Sequence, residues 1–106
     1  MDAEGFAAIF KKEKENLFNL IFSEEYAEMN TLIKKLGLSD AQVIILKQII
    51  NQVLTDTFYS ILLGLDGAAN IGGVQQLYKI YDQDDNLISS CGHLEAAAYE
   101  AFHENK

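Results

Sequence analysis

Proline and tryptophan are absent from this 106-residue sequence, and cysteine occurs only once, at Cys91. A single cysteine cannot form an internal disulfide and suits a reducing compartment, so we expect a cytoplasmic protein. Without proline, and with little clustering of serine and glycine, no linker is visible. The length allows one modest hydrophobic core, and we therefore predict a single domain over residues 1–106.

Basic residues are also scarce, since eight lysines and arginines stand against sixteen acidic residues and give a net charge of −8. Phosphate backbones are bound through Lys and Arg, so this balance argues against nucleic acid as a direct partner. An acidic chain of this size is either acidic for solubility alone or complementary to something basic. The charge therefore leaves a basic protein as the partner to consider.

Long uninterrupted apolar segments are missing as well. The N-terminal Met-Asp-Ala-Glu has no basic region before an apolar run, so we predict no secretory signal. The most apolar stretch, residues 38–65, carries too many polar side chains for a membrane span, and we expect no membrane contact. These polar side chains are Lys47, Gln48, Asn51, Gln52, Thr55 and Asp56.

The same stretch, residues 38–65, predicts a long central helix. Ser39 and Gln42 have the spacing of a capping box, and neither glycine nor proline interrupts the following run until Gly64. We predict a helix over residues 40–63 and expect it to be the most buried element. In its middle, apolar side chains lie opposite the polar ones; these are Leu46, Ile49, Ile50, Val53 and Leu54.

The remaining pattern predicts three further helices and one β-hairpin. Apolar residues at helical spacing place helices near residues 3–22, 24–36 and 93–104. Side chains alternate over Val74–Tyr81, and a cluster of turn-forming residues follows before Leu87-Ile88. We therefore predict a hairpin near residues 74–89 and an α+β fold that is mainly helical.

The sequence predicts no site for a metal or a cofactor. The turn at residues 82–86 matches the first half of a calcium-binding loop, but Leu87 stands where glycine is required and His93 where glutamate is required. Cys91, His93 and His103 lack the paired spacing of structural zinc ligands. We expect neither a metal nor a cofactor.

Catalytic motifs are not visible either. Cys91 and His93 have no third partner that would complete a nucleophilic site. The glycine-rich loop at residues 64–73 matches no phosphate-binding pattern. Asp56 and Tyr59 on the central helix form either a structural network or, with this loop, part of a small-ligand site. We predict a protein that is not an enzyme.

The segment FYSILLGLDGAANIGGVQQLYKIYDQDDNLI, which begins at Phe58, resembles small bacterial proteins that have a helix, a glycine-containing loop and a YKxYD-type hairpin. In size, acidity and lack of a catalytic motif, the whole chain is similar to immunity proteins of bacterial toxin systems. This similarity implies a protein that binds a toxin and blocks it. It assigns no role to any individual residue.

The leading prediction is thus an acidic protein-binding module that inhibits a basic partner by steric and electrostatic occlusion. Residues 61–106 hold seven acidic residues and two lysines, a net charge of −5. Tyrosine is enriched at interface hot spots, so tyrosines serve as anchors. Two alternatives are a homodimer that pairs through a hairpin edge or the apolar ends of the central helix, and a small-ligand-binding domain. The predicted partner-binding residues are Asp66, Tyr78, Tyr81, Asp82, Asp84 and Asp85.

Overall fold

The structure is a computed structural model that describes residues 1–90 and 92–104. Four α-helices are present in these residues, and the last continues into a π-helical turn at Glu100–Glu104. The four predicted helices are confirmed, with bounds that differ by a few residues. The helices are α1 (Ala3–Ile21), α2 (Ala27–Lys35), α3 (Asp40–Leu65) and α4 (His93–Tyr99).

Local capping explains where α2 and α3 begin. The Ser39 hydroxyl accepts a hydrogen bond from the Gln42 backbone N–H, while the Gln42 side chain accepts one from the Ser39 N–H, so the predicted capping box is confirmed. Ser23, which directly precedes the helix predicted near residues 24–36, donates its hydroxyl to the Leu20 carbonyl at the end of α1. Because Ser23 closes the first helix, α2 begins later, after Tyr26.

The hydrophobic core lies at one end of the molecule, where the start of α1, the last turns of α3 and α4 meet. Several of its residues are alanines, which let the helix backbones approach closely. The buried residues of this core are Ala3, Ala7, Leu62, Leu94, Ala97, Ala98 and Phe102.

The expectation that the central helix is the most buried element is wrong. Only Leu62 and Gly64 of its 26 residues are buried. Helix α1 runs antiparallel along one side of α3, because the Phe10 ring meets Phe58 and the Phe22 ring meets Lys47. Helix α2 is not among the elements that pack extensively on α3. The first half of α3 is consequently covered on one side only.

The predicted α+β class is also wrong. Among the described residues there is no β-strand, and the fold is all-α. Residues 66–90 form an irregular arm, in which the described backbone makes three isolated antiparallel bridges. These bridges join Asp66 to Leu77, Ile71 to Val74 and Tyr81 to Leu87.

The Ser89 side chain explains why the arm does not form a β-ladder. The Ile80 N–H donates to the Ser89 hydroxyl oxygen at 3.0 Å, and the Ser89 hydroxyl donates to the Tyr78 carbonyl. The Tyr78 N–H in turn bonds the Leu65 carbonyl at the end of α3. Backbone groups that a hairpin would pair with each other are thus satisfied by a side chain and by a helix end.

The molecule is elongated, with a radius of gyration of 16.4 Å and principal extents of 48 × 28 × 25 Å. In the described part of the chain, no helix combines the length and the apolar character needed to cross a bilayer.

Candidate functional site

The acidic turn (residues 81–86) is held in one conformation by Asp82. Its carboxylate accepts hydrogen bonds from the Met1 ammonium group, from the Asp84 and Asn86 backbone N–H groups and from the Asn86 side chain. The ammonium group and then Asn86 hold the pKa of the Asp82 carboxyl well below its usual range. Asp85 completes the turn with a left-handed φ of 62°.

Three predicted partner-binding residues of the acidic turn point to solvent. The Tyr81 side chain is 54% exposed, and Asp84 and Asp85 are exposed beside it. Tyr78 lies outside the turn and is half-buried. The turn therefore brings together an aromatic ring and two carboxylates that are free to meet a partner, while Asp82 supports them from within.

Asp66 lies elsewhere, at the C-terminal end of α3, and is only 8% exposed. Its carboxylate accepts a hydrogen bond of 2.9 Å from the Glu95 backbone N–H in the first turn of α4. The N-cap residue of α4 is Gly92, which has no side chain, so Asp66 caps this helix from a distant point in the sequence. Its Oδ1 is buried and has no hydrogen-bond partner among the described residues.

The α3 ridge is a second surface of interest, formed by side chains four positions apart. Ile45, Ile49 and Val53 are 53–54% exposed, and Thr57 and Ile61 continue the row toward the core. The sequence placed Ile49 and Val53 on the covered side of the helix, but no element of the described chain covers them. The members of the ridge are Ile45, Ile49, Val53, Thr57 and Ile61.

A polar cleft of about 290 Å³ lies between α1, α3 and the π-helical turn. Thr55 of α3 lines it together with Lys14 of α1 and His103 of the π-helical turn. Burial lowers the pKa of the Lys14 ammonium group. The Tyr59 and His103 rings lie nearly perpendicular, with 4.4 Å between their centroids, and burial raises the pKa of the Tyr59 phenol.

The three parts of the predicted small-ligand site are not brought together. Asp56 accepts a hydrogen bond of 2.9 Å from the Gln52 side chain and lines an open depression with Asn70 and Ile71 of the glycine-rich loop. Tyr59 instead packs against the π-helical turn, with its ring near Phe102 and His103. Asp56 and the loop share one surface, and Tyr59 belongs to another.

No group of three or more His, Cys, Asp or Glu side chains within residues 1–90 and 92–104 is arranged to hold a metal. Cys91, which with His93 falls short of a nucleophilic or zinc-binding pattern in the sequence, lies outside the described residues. His93 itself has its Nδ1 3.3 Å from the Ser90 hydroxyl oxygen.

Comparisons of the chain with protein families, with curated proteins and with solved structures gave no match. The resemblance to immunity proteins therefore stays a hypothesis, and the surfaces described above carry the functional proposal.

Proposed function

We propose that the protein is a non-enzymatic protein-binding module whose acidic turn occludes a basic site on a protein partner, in the manner of an immunity protein. The supporting observation is the exposed ring of Tyr81 beside the exposed carboxylates of Asp84 and Asp85. We place this function in the cytoplasm, because the single cysteine suits a reducing compartment.

Preorganisation of the turn favours binding. Four donors already hold the Asp82 carboxylate, so the turn loses little conformational freedom when a partner docks. Tyr81 offers a large rigid contact with few rotatable bonds, as interface anchors do. The two carboxylates and the net charge of −8 steer a basic surface toward the turn and reject acidic partners.

The test is charge reversal of the turn, with both Asp84→Lys and Asp85→Lys in one variant. The matched control is Glu24→Lys with Glu25→Lys, which makes the same change in net charge between α1 and α2. Met1 contacts the turn and α1 is about 28 Å long, so the control lies at the far end of that helix.

The measurement is a pull-down with the tagged chain at low and high salt, followed by titration of the retained basic partner with each variant. We expect the control to bind like the wild type and the turn variant to lose both affinity and salt dependence. Equal affinity and equal salt dependence for all three proteins would rule out the acidic turn as the binding surface.

The polar cleft supports a second candidate, the binding of a small anionic ligand. Two lysines, Lys11 and Lys14, line the cleft against the single carboxylate of Glu15. Asn51 and Thr55 provide hydrogen-bond donors. A thermal-shift screen of phosphate and small carboxylates tests this idea, with Asn51→Leu as the variant that should abolish any shift. A shift that persists in Asn51→Leu would place the ligand outside the cleft.

A further inference from the structure

The chain exposes more surface than a compact monomer of its mass. Its accessible area is 7076 Å², whereas a folded monomer of 11.9 kDa exposes about 5,950 Å². The radius of gyration of 16.4 Å likewise exceeds the value of about 13 Å expected for 106 residues. The excess of roughly 1,100 Å² is larger than the area of about 800 Å² that each partner buries in a standard interface.

Most of the α3 ridge lies in the first half of α3, which is covered on one side only. It begins at Ile45 and passes through Ile49 and Val53, all three more than half exposed. No acidic residue occurs in residues 41–55, although the whole chain has sixteen. From Ile45 to Val53 the ridge is therefore free of acidic side chains, which would otherwise repel those of a second copy.

We propose that the α3 ridge is the interface of a homodimer, in which a second copy covers it. A ridge of side chains four residues apart packs into the matching groove of an identical helix, and two such helices cross at about −50°. A two-fold axis near Ile49 and Val53 places each of these side chains against the ridge of the other copy.

The pattern of charge beside the ridge favours a second copy over a basic partner. Gln52 and Asp56 adjoin the ridge, and Gln52 donates to the Asp56 carboxylate, so hydrogen bonding satisfies part of the only acidic group there. Lys47 lies against the Phe22 ring of α1, on the side away from the ridge. A surface whose one acidic group, Asp56, is already hydrogen-bonded gains mainly from burial of apolar area and offers a basic partner little to pair with.

The dimer uses a surface other than the acidic turn, so either proposal can fail while the other holds. The first measurement is sedimentation equilibrium of the full chain at submillimolar concentration and rising salt. We expect a mass of twice 11.9 kDa, and tighter association as salt screens the repulsion between two chains of charge −8. A monomer at every concentration and salt would refute the dimer.

Two variants of one residue type locate the interface. Ile49→Glu puts a charge on the ridge, and Ile44→Glu puts the same charge on a side chain that is 60% exposed but about 140° away around the helix. We expect Ile49→Glu to weaken dimerisation by about a hundredfold or more, because each dimer loses two buried isoleucines. Ile44→Glu should leave the dissociation constant within about threefold of wild type.

Circular dichroism of both variants checks that the helices are intact, and Ile49→Gln replaces Ile49→Glu if the latter unfolds. A dimer that survives the ridge substitutions, or that the two glutamate variants weaken equally, would overturn the assignment of the ridge. The turn variant with Asp84→Lys and Asp85→Lys should dimerise at least as tightly as the wild type, which separates this result from the proposed partner binding.

Discussion

Replacement of Asp66 by alanine should destabilise the protein, because its buried side chain joins two helices. Its carboxylate accepts the Glu95 N–H across the gap between the end of α3 and the start of α4. Without it, that N–H is left without an acceptor in a partly buried position, and Gly92 offers no substitute cap. The substitution therefore uncouples two helices that form the core together.

The magnitude follows from two opposing effects. Loss of an N-cap costs about 0.5–2 kcal/mol, and an unsatisfied buried donor costs about 1–3 kcal/mol, two measures that partly overlap. Alanine also removes the buried Oδ1 of Asp66, which has no hydrogen-bond partner among the described residues, and this offsets part of the lost stability. We expect Asp66→Ala to lower the free energy of unfolding by about 2 kcal/mol, which corresponds to a fall of roughly 10 °C in Tm.

Asp66→Asn separates the hydrogen bond from the charge. The amide oxygen can still accept the Glu95 N–H, but the favourable charge at the start of α4 is lost, which costs about 0.3–1 kcal/mol. Urea denaturation followed by far-UV circular dichroism at fixed protein concentration measures all three proteins, with Asp84→Ala as the exposed control. The capping role would be refuted if the free energy of unfolding of Asp66→Ala lay within about 0.5 kcal/mol of the wild-type value. It would also be refuted if Asp66→Asn were less stable than Asp66→Ala.

Three further predictions concern the core, the acidic turn and the glycine-rich loop. Leu62→Ala should lower the free energy of unfolding by about 2–5 kcal/mol in the same urea experiment, because Leu62 is 0% exposed. Val53→Ala should lower that of the monomer by less than about 1 kcal/mol, because Val53 is more than half exposed. Because folding lowers the pKa of Asp82, the ionised carboxylate stabilises the folded protein. This stabilisation is fully present at pH values above the pKa of Asp82 in the unfolded chain, about 3.9, and is lost as the pH falls through its pKa in the folded protein. The stability difference between wild type and Asp82→Asn should therefore shrink in acid, and a constant difference from neutral to acidic pH would contradict the network. Gly64→Ala places a Cβ against the Ile71 side chain and should destabilise the wild type, yet it should stabilise an Ile71→Ala background by up to about 1 kcal/mol.

Local features of this fold are readable from the sequence. The Ser39 and Gln42 capping box marks the start of α3 correctly because both its hydrogen bonds join residues three positions apart. The exposure of Asp84 and Asp85 fits the predicted surface for a similar reason, since turn-forming residues without apolar neighbours lie at the surface.

Features that depend on distant contacts were missed. Periodicity shows which side of α3 is apolar, but it does not show whether another element exists to cover Ile49 and Val53. Alternation predicted a strand in the arm, but the Ser89 hydroxyl satisfies backbone groups on which the ladder depends. The sequence predicts Asp66 to be a partner-binding residue, because nothing local shows that its carboxylate caps the Glu95 N–H, 29 residues away. The one local hint was Gly92, a helix N-cap without a side chain.

Because burial is concentrated around Leu62 and Leu94, amide protons should exchange with solvent at very different rates in the two ends of the molecule. Those in the last turns of α3 and in α4 are released only when the whole chain unfolds. Amide protons in α2 and in the first turns of α3 should exchange faster, through local opening of these helices. Association along the α3 ridge would slow exchange in the first turns of α3 as protein concentration rises, while rates near Leu94 change less.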